Sequence, residues 1–171
     1  MIHPTAIISK SAKIDSSVTV GPYSIIGENV VILENTILES HVVIKKNTTI
    51  GRNNKIYQFA SIGEDPQDLK FNNEETYLFI GDNNVFREFC TINRGTTTGI
   101  DETVIGSNNL FMTSSHVAHD CVIKDNCILS NAASLAGHVR IGNNVSLGGF
   151  TLVHQFCEIG DYAFSGLGTV I

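Results

Sequence analysis

GENVVILENTILESHVVIKKNTTI, residues 27–50, divides into four groups of six, GENVVI, LENTIL, ESHVVI and KKNTTI, each closing on an aliphatic residue. Outward from this stretch a large apolar residue returns at every sixth position from Ile2 to Ile62. It resumes in phase at Ile80, Phe86 and Ile92, then shifts phase and runs from Ile105 to Ile171 with Ser165 as the exception. A period of six matches neither the 3.6 of a helix nor simple alternation. It fits short strands joined by tight turns, each presenting one inward aliphatic. Four places after the aliphatic stands a small or β-branched residue, as at Ala60, Ala133, Val139 and Val145. The place before it often holds Asn, as at Asn29, Asn35, Asn47, Asn53, Asn108, Asn126 and Asn144, where the turn needs a positive φ that Asn tolerates.

This pattern resembles the hexapeptide-repeat, left-handed parallel β-helix, an all-β solenoid. Three groups of six make one coil of a triangular prism, and coils stack at the strand spacing of about 4.8 Å. One domain over residues 1–171 is expected, with two excursions that break the repeat. The first covers about 64–79, within GEDPQDLKFNNEETYLF, and the second covers 95–103, GTTTGIDET. Loops thrown out of a regular solenoid usually carry function. QDLK is suggestive because it places Asp68 two residues from Lys70.

Composition narrows the function. With 42% hydrophobic and 16% charged residues the chain is an ordinary globular one. No apolar run reaches 18 residues and the start carries no export signal, so no membrane span and a cytoplasmic location are expected. The net charge of −6 and scattered Lys and Arg argue against nucleic acid as a partner.

SSHVAHDCVIKDNC, residues 114–127, combines two histidines, an aspartate and two cysteines. The repeat separates them. Cys90, Cys121, Cys127 and Cys157 all occupy the small inward slot, where a thiol acts as a small hydrophobe, and their spacing lacks the close pairs of zinc motifs. His116, His119, His138 and His154 occupy neither inward slot. His119, Gly137 and Gln155 are spaced by 18 and so share a column, and Asp120 shares the next with His138. One exposed histidine is ordinarily solvated surface, but four at one corner point to a site. His119 beside Asp120 is the best candidate base, because an adjacent carboxylate fixes the imidazole tautomer and stabilises its protonated form. Gly137 offers a backbone N–H to a developing oxyanion. No nucleophile is placed for a covalent intermediate, so direct transfer between two bound substrates is expected, with no cofactor and no metal.

IYQFASIGEDPQDLKF, FREFCTINRGT, NLFMTSSHVAHDC, SNAASLAGHV and GGFTLVHQFC together resemble the UDP-N-acetylglucosamine O-acyltransferases that begin lipid A synthesis, over essentially the whole chain. The resemblance implies an enzyme that moves a 3-hydroxyacyl chain from acyl carrier protein to the 3-hydroxyl of UDP-N-acetylglucosamine. By it, His119 is the general base, Asp120 its partner and Gly137 the oxyanion donor. Asp68, His116, His138 and Gln155 surround the sugar, Lys70 faces the diphosphate, and His154 lines the same wall. Leu167 takes the place of a residue that helps set acyl-chain length, which implies a donor shorter than the longest the family uses. Asn93 stands where the family often has a histidine assisting the phosphates. The family also implies a homotrimer, and further coils and a C-terminal helical domain beyond Ile171, so the sequence reads as truncated. Three alternatives stay open: an N-acyltransferase acting on a 3-amino UDP-sugar, a metal enzyme of the γ-carbonic anhydrase type, and an inactive trimeric scaffold.

Overall fold

The computed structural model describes residues 1–171, and all its 24 elements are strands, most of two residues. Every strand pairs in parallel, and the strands sort by threes into three sheets of eight. Ile7–Ile8 stands beside Ile25–Ile26, Lys13–Ile14 beside Val31–Ile32, and Thr19–Val20 beside Ile37–Leu38, each partner 18 residues on. The chain is therefore a left-handed parallel β-helix whose three sheets are the faces of a prism. Each turn of the chain hands its backbone groups to the next, as where the Gly27 N–H donates to the Ile44 carbonyl at 2.8 Å.

The period of six places its aliphatic on the axis at each face. Ile26, Ile44, Ile62, Ile92, Val117, Leu135 and Val153 stack in register along one face, all buried. Val20, Leu38, Ile56, Phe86, Phe111, Leu129 and Leu147 do so along another, with the Phe86 and Phe111 rings stacked at 4.6 Å. Burying each such side chain stabilises the fold by about 1.5–3 kcal/mol. The resulting core is a single cluster of 31 residues, which includes Cys90, Cys121 and Cys127 in the inward slot, while Cys157 is half-buried at its end.

At the corners the seven expected asparagines all have positive φ, between 55° and 61°. So do residues for which this is unusual, among them Tyr23, His41, Phe59 and Phe89. Their rings stack along one edge with centroids 5.2–5.3 Å apart. Such pairs contribute about 0.5–1.5 kcal/mol each, enough to offset left-handed strain of about 1–2 kcal/mol.

The excursions are shorter than the sequence suggested, running over 65–76 and 94–101. Tyr77–Ile80 is a strand paired on both sides, with Thr48–Ile50 and Glu102–Ile105, so the ends of both expected loops belong to the prism. Ile62 and Ile92 are 30 residues apart in sequence yet paired, which is one coil of 18 plus an insertion of 12. Twelve is a multiple of six, which is why the repeat resumes in phase after the first excursion. The second inserts seven, as the 25-residue pairing of Ile80 with Ile105 shows, and shifts the phase. Both excursions leave from the same corner, the one carrying His119, Gly137 and Gln155. Arg94 ties their bases together: its guanidinium is fully buried, donates to the Gly63 carbonyl and pairs with Asp65.

Candidate active site

The strand His116–Val117 ends in a tight turn formed by Ala118, His119, Asp120 and Cys121. Val117 and Cys121 point inward and are fully buried, so the two residues between them at the turn's apex, His119 and Asp120, are carried on the outside of the corner. Asp120 has φ of 59°, and its N–H is taken by the Thr103 hydroxyl at 2.9 Å. Its carboxylate is completely enclosed. Oδ1 accepts the N–H groups of Thr96 and Ile100, both at 3.0 Å, and Oδ2 accepts the Thr96 hydroxyl at 2.6 Å and His119 Nδ1 at 2.7 Å. Burial alone would raise the pKa of this acid, but the hydrogen bonds from His119, Thr96 and Ile100 outweigh it and hold the group at about 2. Asp120 is therefore an anion at neutral pH. Its Oδ2 binds Nδ1 of the neutral imidazole as a donor, which leaves Nε2 as the acceptor.

The His119 ring is packed on three sides. His138 meets it edge-on with centroids 5.1 Å apart, and His138 in turn stacks on Phe156 at 4.4 Å. Beneath it lies Gly137, where a Cβ would come within 2.6 Å of the ring. Gly137 is thus needed first for the space it leaves. Its N–H has no protein acceptor. His138 Nδ1 lies 3.9 Å from Asp120 Oδ2, so His119, Asp120 and His138 are the three side chains whose ligand atoms could close on a metal ion, all within 4.8 Å of one another. Any such use would compete with the four hydrogen bonds already on the carboxylate.

Two clefts meet at His119, Gln155 and Gln67. One, of about 610 Å³, runs along the prism face past His116, Ser134 and Leu152 to Val170 and Ile171, and also borders Gly137 and His154. The other, of about 730 Å³, is walled by Asp68, Lys70, Thr98, His138 and Phe156. The first is largely apolar and the second polar, and each is within the range of small-molecule sites. His116 Nδ1 is bonded to the Thr91 hydroxyl at 2.8 Å. Burial, with a smaller contribution from the charge on His119, lowers its pKa below the ordinary histidine value, against the opposing effect of Thr91, so it stays neutral.

The structure brings together Asp68, Lys70, His116, His119, Asp120, Gly137, His138, His154 and Gln155. Lys70 is fully exposed, and Asp68 Oδ1 accepts the Lys70 N–H at 2.9 Å, which shapes the QDLK turn. Leu167 borders neither cleft. It stands exposed at the opposite corner of the same face, over Gly149, beyond Leu152 and Val170. Asn93 is buried and its amide donates to the Asp65 carbonyl at 2.9 Å, so it braces the first excursion and faces neither cleft. Sequence reasoning passed over Gln67, Thr91, Thr96 and Phe156. Phe156 follows His138 by 18 and was legible in the column; the others reach the site through the insertions, whose return path no spacing records.

No protein-family model matches the chain. It is 61% identical over 170 residues to the acyl-[acyl-carrier-protein]--UDP-N-acetylglucosamine O-acyltransferase of Pseudomonas putida (strain W619), covering 99% of this chain and 66% of that protein. The solved structure of UDP-N-acetylglucosamine O-acyltransferase from Moraxella catarrhalis RH4 superposes with a TM-score of 0.99 at 55% identity, covering 99% of this chain and 66% of the other. That of a UDP-N-acetylglucosamine acyltransferase from Bacteroides fragilis 9343 does so at 0.97 and 42%, covering 100% and 67%. The chain thus spans 66% of the length of the curated relatives it matches.

Proposed function

The chain belongs to the UDP-N-acetylglucosamine O-acyltransferase family, and from that premise we propose that it transfers a 3-hydroxyacyl chain from acyl carrier protein to the 3-hydroxyl of UDP-N-acetylglucosamine, with His119 as general base. The observation that carries this reading is an imidazole anchored through Nδ1 to an enclosed carboxylate at the junction of a polar and an apolar cleft. The polar cleft suits the sugar nucleotide, with Asp68, His138 and Gln155 around the sugar and Lys70 toward the diphosphate. The apolar cleft suits the acyl chain, and Leu167, farther along the same face, would close its end.

In the step itself, His119 Nε2 takes the proton of the 3-hydroxyl as that oxygen attacks the thioester carbonyl carbon. Asp120 stabilises the resulting imidazolium. Negative charge gathers on the former carbonyl oxygen, where the unpaired Gly137 N–H supplies a donor. Collapse expels the carrier's thiolate, which recovers the proton from Nε2, leaving an ester and a free thiol. No covalent enzyme intermediate is needed. The cysteines point inward, and burial pushes the Cys121 thiol up to about 12. The clefts are open on one side, which suits a homotrimer in which a second copy completes each of them. The structure contains no helix long and apolar enough to cross a membrane, which accords with a cytoplasmic setting for a reaction that uses acyl carrier protein.

The test is His119→Ala, assayed with UDP-N-acetylglucosamine and its 3-amino analogue against a panel of 3-hydroxyacyl carrier proteins. Loss of a general base costs about 10²- to 10⁴-fold. Turnover within threefold of the parent chain, or transfer only to the amine, would refute the reading.

A further inference from the structure

We propose that Thr96, on the second excursion, is a positioning residue for the base: its hydroxyl fixes the rotation of the Asp120 carboxylate and thereby the tautomer and aim of His119. The inference rests on the reading of His119 as the base, and the geometry behind it is independent of substrate. Oδ2 of Asp120 accepts both the Thr96 hydroxyl at 2.6 Å and His119 Nδ1 at 2.7 Å. A second histidine, His138, offers Nδ1 only 3.9 Å from the same oxygen. Two imidazoles thus compete for one carboxylate oxygen, and a small rotation about the Cβ–Cγ bond would favour the wrong one. Three donors oppose that rotation, and two of them come from one residue. The Thr96 N–H and the Ile100 N–H hold Oδ1 at 3.0 Å each, and the Thr96 hydroxyl holds Oδ2. The Thr96 hydroxyl is itself oriented by Thr98 Oγ1 at 3.1 Å.

The loop between these donors passes so close that only glycine fits at its crossing. A Cβ on Gly99 would lie 2.2–2.5 Å from the Asp120 carboxylate atoms. The segment Thr96 to Ile100 is therefore shaped as a clamp around one side chain, 20 to 24 residues away in sequence. An ordinary loop brace would have no reason to spend its backbone and side-chain donors on the oxygens of an anion already bonded to a histidine. Fixing which imidazole nitrogen carries the proton gives that arrangement a purpose, because a base must present a free Nε2.

The experiment compares the parent chain with Thr96→Val, Thr96→Ser and Gly99→Ala. With ¹⁵N-labelled histidine at pH 8, long-range ¹H–¹⁵N correlation reports the tautomer of His119 directly. The parent and Thr96→Ser should show a single Nδ1–H tautomer, and Thr96→Val and Gly99→Ala a mixture of both. In the acyl-transfer assay Thr96→Val should lower kcat about tenfold with KM for the sugar nucleotide unchanged, short of the roughly 10²-fold that a 1 Å displacement brings. Thr96→Ser should recover kcat to within about twofold. A single Nδ1–H tautomer in a folded Thr96→Val chain, or failure of Thr96→Ser to restore it, overturns the proposal. Should the parent chain transfer no acyl group to any acceptor, the acyltransferase reading falls, and the tautomer measurement still decides the clamp.

Discussion

In Gly137→Ala the new Cβ stands 2.6 Å from Cε1 and 2.8 Å from Nε2 of His119. Unstrained carbon contacts lie near 3.5–4.0 Å, so the ring must retreat by roughly 1 Å. It has little freedom to do so cheaply, because Nδ1 is bonded at 2.7 Å to a clamped carboxylate and one face meets the edge of His138. Displacement by about 1 Å in a catalytic group costs on the order of 10²-fold in rate. The backbone itself accepts alanine, since Gly137 is not among the residues with positive φ. A compatible Gly→Ala exchange stabilises a chain by about 0.4–1 kcal/mol through its unfolded state, which offsets part of the local crowding. The expectation is a chain with unchanged thermal unfolding and kcat lowered about 10²-fold, read by steady-state kinetics alongside a melting curve. Alanine keeps the N–H at this position, so the loss reports the steric role of glycine separately from any role as oxyanion donor. A kcat within threefold of the parent would refute the reasoning, and so would a loss of activity that merely tracks unfolding.

Acid should weaken the corner through Asp120, whose pKa is about 2 in the fold against 3.8 unfolded. A depressed folded value contributes stability that is complete above about pH 4 and is lost as pH falls toward 2. The stability advantage of the parent over Asp120→Asn in denaturant titrations should therefore shrink by about 2 kcal/mol across that window, and a gap independent of pH would contradict it. Alkylation of the native chain at pH 8, followed by mass spectrometry, should add at most one label, at the half-buried Cys157. Burial encloses Cys90, Cys121 and Cys127 and raises all three thiols, so rapid labelling of any of them would show that the core opens. Leu167→Gly should shift preference toward longer acyl donors if this side chain ends the apolar cleft; an unchanged chain-length profile would remove it from that role.

The repeat made the architecture legible. Once an aliphatic returns every six residues, each coil must hold 18 and each column must stack, because a slip would turn the aliphatics out of the core. The inward fate of the cysteines, the positive φ of the corner asparagines and the meeting of His119, Gly137 and Gln155 all follow from counting. So does Phe156 over His138. Counting stops at the insertions. The 12- and 7-residue excursions obey no period, and where each returns is decided by contacts such as Arg94 with Asp65 that no spacing announces. The tertiary structure alone placed Thr96, 24 residues distant, on the carboxylate of Asp120. It alone turned Asn93 inward, set Gln67 between two clefts and showed that Gly137 is required by the ring above it. A solenoid is determined by repetition between neighbouring coils, and its site by the segments that leave the repeat and fold back on it.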